Sequence, residues 1–158
     1  FYITDTNNIF LNTFLPVYSD GDVLSLYGDI GYIMKDKIKM NLGIKYDSYS
    51  NLSEAKAWYK PNLRVDYNIS YNLYDKIYTS GSVYYVGERY GRIGISGGDY
   101  VIKKFKSVVD CNIMLEYRYS KLFSVFLKMN NLGFQKYYLW NNYASQQFNF
   151  IAGFTYIM

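Results

Sequence analysis

From Asn62 to Leu73 every second residue is apolar. Leu63, Val65, Tyr67, Ile69, Tyr71 and Leu73 alternate with Asn62, Arg64, Asp66, Asn68, Ser70 and Asn72. A helix would scatter both sets around its axis, whereas a strand sends them to opposite faces. One face then suits a core or hydrocarbon, and the other suits water. The same period of two returns along the chain. Leu24, Leu26, Ile30, Tyr32 and Met34 form one apolar set, and Ile38, Met40, Leu42, Ile44 and Tyr46 the next. Further sets are Ile77, Val83 and Tyr85; Val109, Cys111, Ile113, Leu115 and Tyr117; Phe123, Val125, Leu127 and Met129; and Phe148, Phe150, Phe154 and Tyr156. With a weaker strand over 9–18, the pattern predicts about eight strands of roughly 10 to 13 residues.

The connections alternate in length. Tight turns are expected at Lys35-Asp36-Lys37, Tyr74-Asp75-Lys76 and Ser120-Lys121, and long loops over 51–61, 90–107 and 132–146. Short turns on one end and long loops on the other are the mark of a transmembrane β-barrel of the bacterial outer membrane. A propeller blade needs four strands in the span where only two fit here, which excludes that architecture. No apolar run approaches the roughly 20 residues of a membrane helix. A soluble lipid-binding barrel would turn the apolar set inward and the charges outward, and would not place tyrosines at matched depths.

Composition closes off several chemistries. The 158 residues include no histidine and one cysteine, so histidine-based catalysis, internal disulfides and cysteine zinc sites are excluded. No catalytic, cofactor-binding or metal-ligating set is expected, and the chain does not read as an enzyme. The net charge of +4 is mild and dispersed, which speaks against nucleic acid as a partner. Aromatic residues reach 21%, more than one small core uses, so many rings are expected on an apolar surface.

On the barrel reading, Asp29, Lys39, Lys45, Arg64, Asp66, Glu88, Asp110, Glu116, Arg118 and Lys128 face the lumen. They suit a substrate path or plug-docking surface, and equally a salt-bridge network or a wetted wall. Tyr32, Tyr71, Tyr119, Phe123 and Tyr156 fall near the short-turn rim and would form an aromatic girdle. The glycines and lysines of 90–107 suggest a mobile surface loop. Its Lys103, Lys104 and Lys106, with Arg89 and Arg92, are candidates to meet lipopolysaccharide phosphates. Tyr137, Tyr138, Trp140 and Tyr143 are loop contact candidates, suited to stacking on a ligand or to packing on one another.

The C-terminal residues carry a resemblance. Asn130-Asn131-Leu132, Gln135-Lys136-Tyr137-Tyr138, Trp140, Tyr143 and the stretch from Gln147 to Tyr156 resemble the closing hairpin of Bacteroidota outer-membrane barrels, TonB-dependent receptors in particular. Gly153, Tyr156 and Met158 resemble the signal read by the barrel-assembly machinery, with Ile151 departing at the polar position and Met158 standing in for the usual Phe. The resemblance implies an outer-membrane β-barrel forming the wall and mouth of a nutrient-uptake pore, driven through a plug. It also implies about 22 strands in all, so residues 1–158 are expected to be either the C-terminal part of such a barrel or a complete smaller relative. Outer-membrane lipid, lipopolysaccharide and the assembly machinery are the implied partners. The alternative is a non-transporting barrel that serves as scaffold or subunit in an outer-membrane assembly.

Overall fold

The computed structural model describes residues 2–4, 14–16, 18–35, 37–94, 99–141 and 143–157. Among these, every regular element is a strand. The wall is one seven-stranded sheet made from β3 (Asp22–Met34), β4 (Ile38–Ser50), β5 (Leu63–Leu73), β6 (Ile77–Val86), β9 (Val108–Arg118), β10 (Phe123–Asn130) and β13 (Asn149–Tyr156). All neighbours pair antiparallel, in the order β13-β10-β9-β6-β5-β4-β3. Three small sheets stand apart from it: β1 (Tyr2–Thr4) with β2 (Phe14–Pro16), β7 (Arg89–Gly94) with β8 (Tyr100–Phe105), and β11 (Tyr138–Trp140) with β12 (Tyr143–Ala144).

The register follows the sequence period. Ile30, Leu42, Tyr67, Val83 and Cys111 are successive cross-strand partners, as are Asp29, Gly43, Asp66, Tyr84 and Asp110. Each row draws its residues from one face, so five strands in register build one apolar and one polar surface. A slip of one residue in any pair would mix them.

The short connections are defined by local chemistry. Tyr74 and Asp75 both take positive φ, 53° and 56°, and the Lys76 amide donates to Leu73 O at 3.1 Å. Asn72 closes the turn, accepting from the Asp75 amide (3.0 Å) and donating to the Asp75 carboxylate (2.6 Å). At the 119–122 connection the Ser120 hydroxyl accepts from the Leu122 and Phe123 amides. Adjacent hairpins are stitched together at this end by Asn72 N donating to Lys37 O and Arg118 N donating to Lys76 O, both at 2.7 Å.

Two expectations need correction. The wall has seven strands among the described residues where about eight were expected; it is open, with β3 and β13 at its edges, in line with the first of the two readings, part of a larger barrel. Of the weaker strand expected over 9–18, Phe14–Pro16 instead pairs with Tyr2–Thr4, and 9–13 and 17 lie outside the described residues. The stretch 90–107, expected as a mobile loop, carries the β7–β8 hairpin, with Arg89 opposite Phe105 and Gly94 opposite Tyr100. Asp36, Gly97, Gly98 and Met158 also lie outside the described residues.

Burial is uneven. The buried apolar side chains among the described residues are Trp58, Phe105, Val108 and Pro61, all at the long-loop end. Among the described residues the wall has no second layer, and Ile30, Phe150 and Phe154 on its apolar face are 67–73% exposed. Gly153 shows how closely the polar face packs locally. A Cβ there would lie 2.7 Å from the Phe126 ring on β10, its cross-strand partner. Gly153→Ala is therefore expected to cost about 1–3 kcal/mol through overpacking. Urea unfolding of the native chain in lipid vesicles checks this, and the penalty should vanish on a Phe126→Ala background.

Candidate functional site

The polar face is built row by row. Lys39, Ser70, Ser80, Met114 and Lys128 are successive partners, as are Tyr27, Lys45, Arg64 and Val86. Over this face lies an open cavity of about 650 Å³, lined by Lys39, Asn41, Asn68, Ser82, Asn112 and Lys128 among others. Amides and hydroxyls dominate its middle. This band was not singled out in the sequence, although its members fill the polar slots of the alternation.

The sequence reading allowed charges of both signs to pair between strands, and the observed partners differ. Ion pairs involving the wall run along a strand: Lys45 to Asp47 at 3.1 Å and Arg118 to Glu116 at 3.1 Å. Between strands the carboxylates are held by neutral donors. Asp29 accepts from the Asn41 amide at 2.8 and 3.0 Å, and Asp47 accepts from the Ser25 hydroxyl at 2.6 Å. Arg118 also lies over the Tyr78 ring, 3.8 Å from its centroid. Glu88 stands outside the sheet, in the link between β6 and β7, half-exposed and 2.8 Å from Lys104.

The five aromatic rim residues lie at the short-turn end. Tyr32 and Tyr71 sit three positions before their turns, Phe123 opens β10 opposite Tyr156, and Tyr119 lies in the connection that follows β9. All but Phe123 are exposed.

The long-loop end is a packed mouth. Loop 51–62 folds against the β7–β8 hairpin, with the Tyr59 amide donating to Tyr90 O at 2.7 Å. The Tyr59 ring lies 5.8 Å from Phe105 and 5.0 Å from Trp140, so three loops meet at one tyrosine. Gly91 makes the approach possible, since a Cβ there would lie 2.7 Å from Tyr59 and 2.5 Å from Phe105. On the other side of the hairpin, Arg92 stacks on Tyr100 at 4.2 Å and pairs with Glu54 at 3.3 Å, and Trp58 meets Tyr100 edge-on at 5.9 Å.

Loop 131–148 is pinned to the wall from within. Asn131, 2% exposed, donates to Gln135 O and Gln146 O and accepts from the Gln135 amide. Arg89, equally buried, donates to Tyr138 O at 2.8 Å. Asp110, 5% exposed on β9, accepts from the hydroxyls of Tyr84 (3.0 Å) and Tyr137 (2.7 Å), which also touch each other. Arg89 Nε and Asp110 Oδ1 are buried without a hydrogen-bond partner among the described residues. Burial pushes the Arg89 pKa down, with the nearby Arg64 charge acting the same way, and burial pushes the Tyr137 pKa up.

The loop candidates thus divide. Tyr137 is engaged with the wall, Tyr138 gives its carbonyl to Arg89 and its ring to Lys103 and Lys136, and Trp140 packs at a tilt against Tyr59 while half-exposed. Tyr143 is also half-exposed. Of the cations offered for lipopolysaccharide, Arg89 is buried and Arg92 is committed to Glu54 and Tyr100. No cluster able to hold a metal ion exists among the described residues.

Tyr137→Phe removes one hydrogen bond from the pinned loop. At about 1 kcal/mol this should speed amide exchange at Ser145, whose N–H donates to Tyr137 O, roughly fivefold. The raised Tyr137 pKa sets the sign of the pH effect. The hold is complete below the ordinary tyrosine value of about 10 and is lost as pH climbs through the raised value. Near-ultraviolet circular dichroism reads this loss as the part of the alkaline change that the wild type shows and Tyr137→Phe lacks, the ionisation of the other tyrosines being common to both.

No protein-family model and no curated protein matches the chain. Solved structures do. The pyoverdine outer-membrane receptor FpvA of Pseudomonas aeruginosa superposes with a TM-score of 0.75 at 12% identity, over 86% of this chain and 21% of the receptor. The closed form of the ferric-catecholate import receptor Fiu of E. coli K12 gives 0.71 at 12%, over 98% of this chain and 23% of the receptor. Its open form gives 0.62 at 16%, over 87% and 20%. These neighbours are an outer-membrane receptor and an import receptor rather than enzymes, and the chain spans about a fifth of their length. The chain therefore has the fold of a segment of an outer-membrane receptor barrel.

Proposed function

We propose that the chain is an arc of a TonB-dependent-receptor-like barrel in the bacterial outer membrane, forming part of the wall and mouth of a nutrient-uptake pore. The observation that carries this reading is the direction of the two edge strands. In an antiparallel meander of seven strands the first and last run the same way, so β3 and β13 cannot join each other antiparallel. An odd number of further strands is required to close the ladder, in keeping with the even strand counts of such barrels. A membrane leaves no alternative to closure, because an unpaired strand edge in hydrocarbon strands its N–H and C=O groups. The 10- and 11-residue strands β5, β6 and β9 match the length of tilted membrane-spanning strands.

The apolar rows then face lipid, with Tyr32, Tyr71, Tyr119, Phe123 and Tyr156 as the girdle at the periplasmic rim. The polar face, including Asp29, Lys39, Lys45, Arg64, Asp66, Asp110, Glu116, Arg118 and Lys128, faces the lumen and any plug it holds. Uptake energy would reach the pore through that plug. The last strand, β13, carries Gly153 and Tyr156, which with Met158 form the signal offered to the barrel-assembly machinery. Exposed loop lysines meet the lipopolysaccharide layer.

Spin labels placed singly along Asn62 to Leu73, on a Cys111→Ser background in native membranes, test the assignment of faces. Labels at Leu63, Val65, Tyr67, Ile69 and Tyr71 should be open to oxygen dissolved in lipid, and those at Arg64, Asp66, Asn68 and Ser70 to an aqueous relaxation agent. The reverse alternation would place the apolar set inside and refute the reading. In the same arrangement Ile69→Arg should cost about 2–4 kcal/mol, and Ser70→Arg far less.

A further inference from the structure

Between β8 and the segment 135–138 lies a second open cavity, of about 450 Å³. Lys103, Lys104, Lys106 and Lys136 line it, with Tyr137 and Tyr138, and no aspartate or glutamate is among its described lining residues. Lys104 is paired with Glu88 at 2.8 Å. Lys103 makes a long contact with Asn141 Oδ1, at 3.5 Å. Lys103 and Lys136 both approach the Tyr138 ring, at 5.8 and 6.0 Å from its centroid. Bringing like charges to one ring is unfavourable in isolation, and a bound anion removes the penalty. The tyrosine wall is also fixed in advance. Tyr138 is tied through its carbonyl to buried Arg89, and Tyr137 through its hydroxyl to buried Asp110. Such a wall needs no reordering when a ligand arrives.

We propose that this cavity binds the phosphate of a phosphorylated sugar. Lysine ammoniums act as compact point charges that suit a multiply charged phosphate. The planar guanidinium that would favour a carboxylate fork belongs to Arg89, which is buried and committed to carbonyl oxygens. A phosphate alone would leave most of the space empty, and the volume falls within the range of small-molecule sites. The Tyr138 ring and the Gln135 amide at the margin offer a face and hydrogen bonds for a sugar. A free sugar phosphate and the phosphorylated headgroup of a glycolipid carry the same chemistry. The proposal rests on the loop geometry and does not depend on the uptake reading.

The test is calorimetric titration of the native full-length protein in detergent. The probes are glucose 6-phosphate, glucose, and a phosphorylated glycolipid in mixed micelles with its dephosphorylated form. The wild type should bind a phosphorylated probe and not its unphosphorylated partner, with affinity falling as salt is raised. Lys103→Gln/Lys106→Gln/Lys136→Gln should weaken that binding by at least about tenfold. Lys136→Gln alone leaves β8 untouched and should weaken it measurably if the triple variant fails to fold. Binding of glucose 6-phosphate assigns a soluble ligand, and binding of the phosphorylated glycolipid alone assigns a headgroup; both uphold the site. Binding of neither phosphorylated probe, or equal binding by the folded lysine variants, overturns it.

Discussion

Pairing of backbone N–H and C=O groups between neighbouring strands underlies everything else in this molecule. Among the described residues the wall has no helix behind it and no second sheet, so the ladder from β3 to β13 is its own support. Register along that ladder sorts the side chains, because each strand contributes alternate residues to each face. Direction along it decides whether the sheet can close. Seven strands leave two edges that run the same way, and a long unpaired edge is a liability in water and untenable in lipid. The likeness to about a fifth of much longer receptors fits the same picture from a separate direction.

The two ends of the wall are built on different principles. The short-turn end is local: Asn72 with Asp75, and Ser120 with the two amides that follow its turn, close connections of a few residues. The long-loop end is assembled from distant segments. Tyr59, Phe105 and Trp140 come from three loops, and Asp110 and Arg89 anchor residues more than 25 and 45 positions away. Burial is concentrated there, so the mouth resembles a small core mounted on the rim of an otherwise single-layered sheet. An ordered mouth can present a fixed set of charges and rings, which is what selective contact with a solute requires.

The same difference explains what the sequence revealed. β5 was legible because its alternation is unbroken from Leu63 to Leu73, and the neighbouring patterns set its register. The turn at Tyr74 and Asp75 was placed correctly without the usual Asn-Gly or Asp-Gly signal, since the patterns on both sides bound it. The β7–β8 hairpin was missed. Gly91 and Gly94 interrupt the alternation of β7, and the lysines of β8 read as a solvated face. Gly91 is there because Tyr59 and Phe105 crowd its Cα, a requirement visible only in three dimensions. Arg89 looked like a surface cation for the same reason, as nothing local announces a buried guanidinium held by a carbonyl 49 residues away. The strand expected over 9–18 is a strand where Phe14–Pro16 is described, but it pairs with Tyr2–Thr4 outside the wall, a partner that alternation alone does not announce.

The most direct test of the arc is hydrogen–deuterium exchange of the native protein in its membrane, read on peptides covering Asp22–Met34 and Asn149–Tyr156. If further strands continue the ladder, the outward amides of both edges will be as protected as those of Leu63–Leu73 in the middle of the sheet. Rapid exchange at either edge, with the centre protected, would show a sheet that ends where β3 and β13 end, and would contradict a closed membrane barrel.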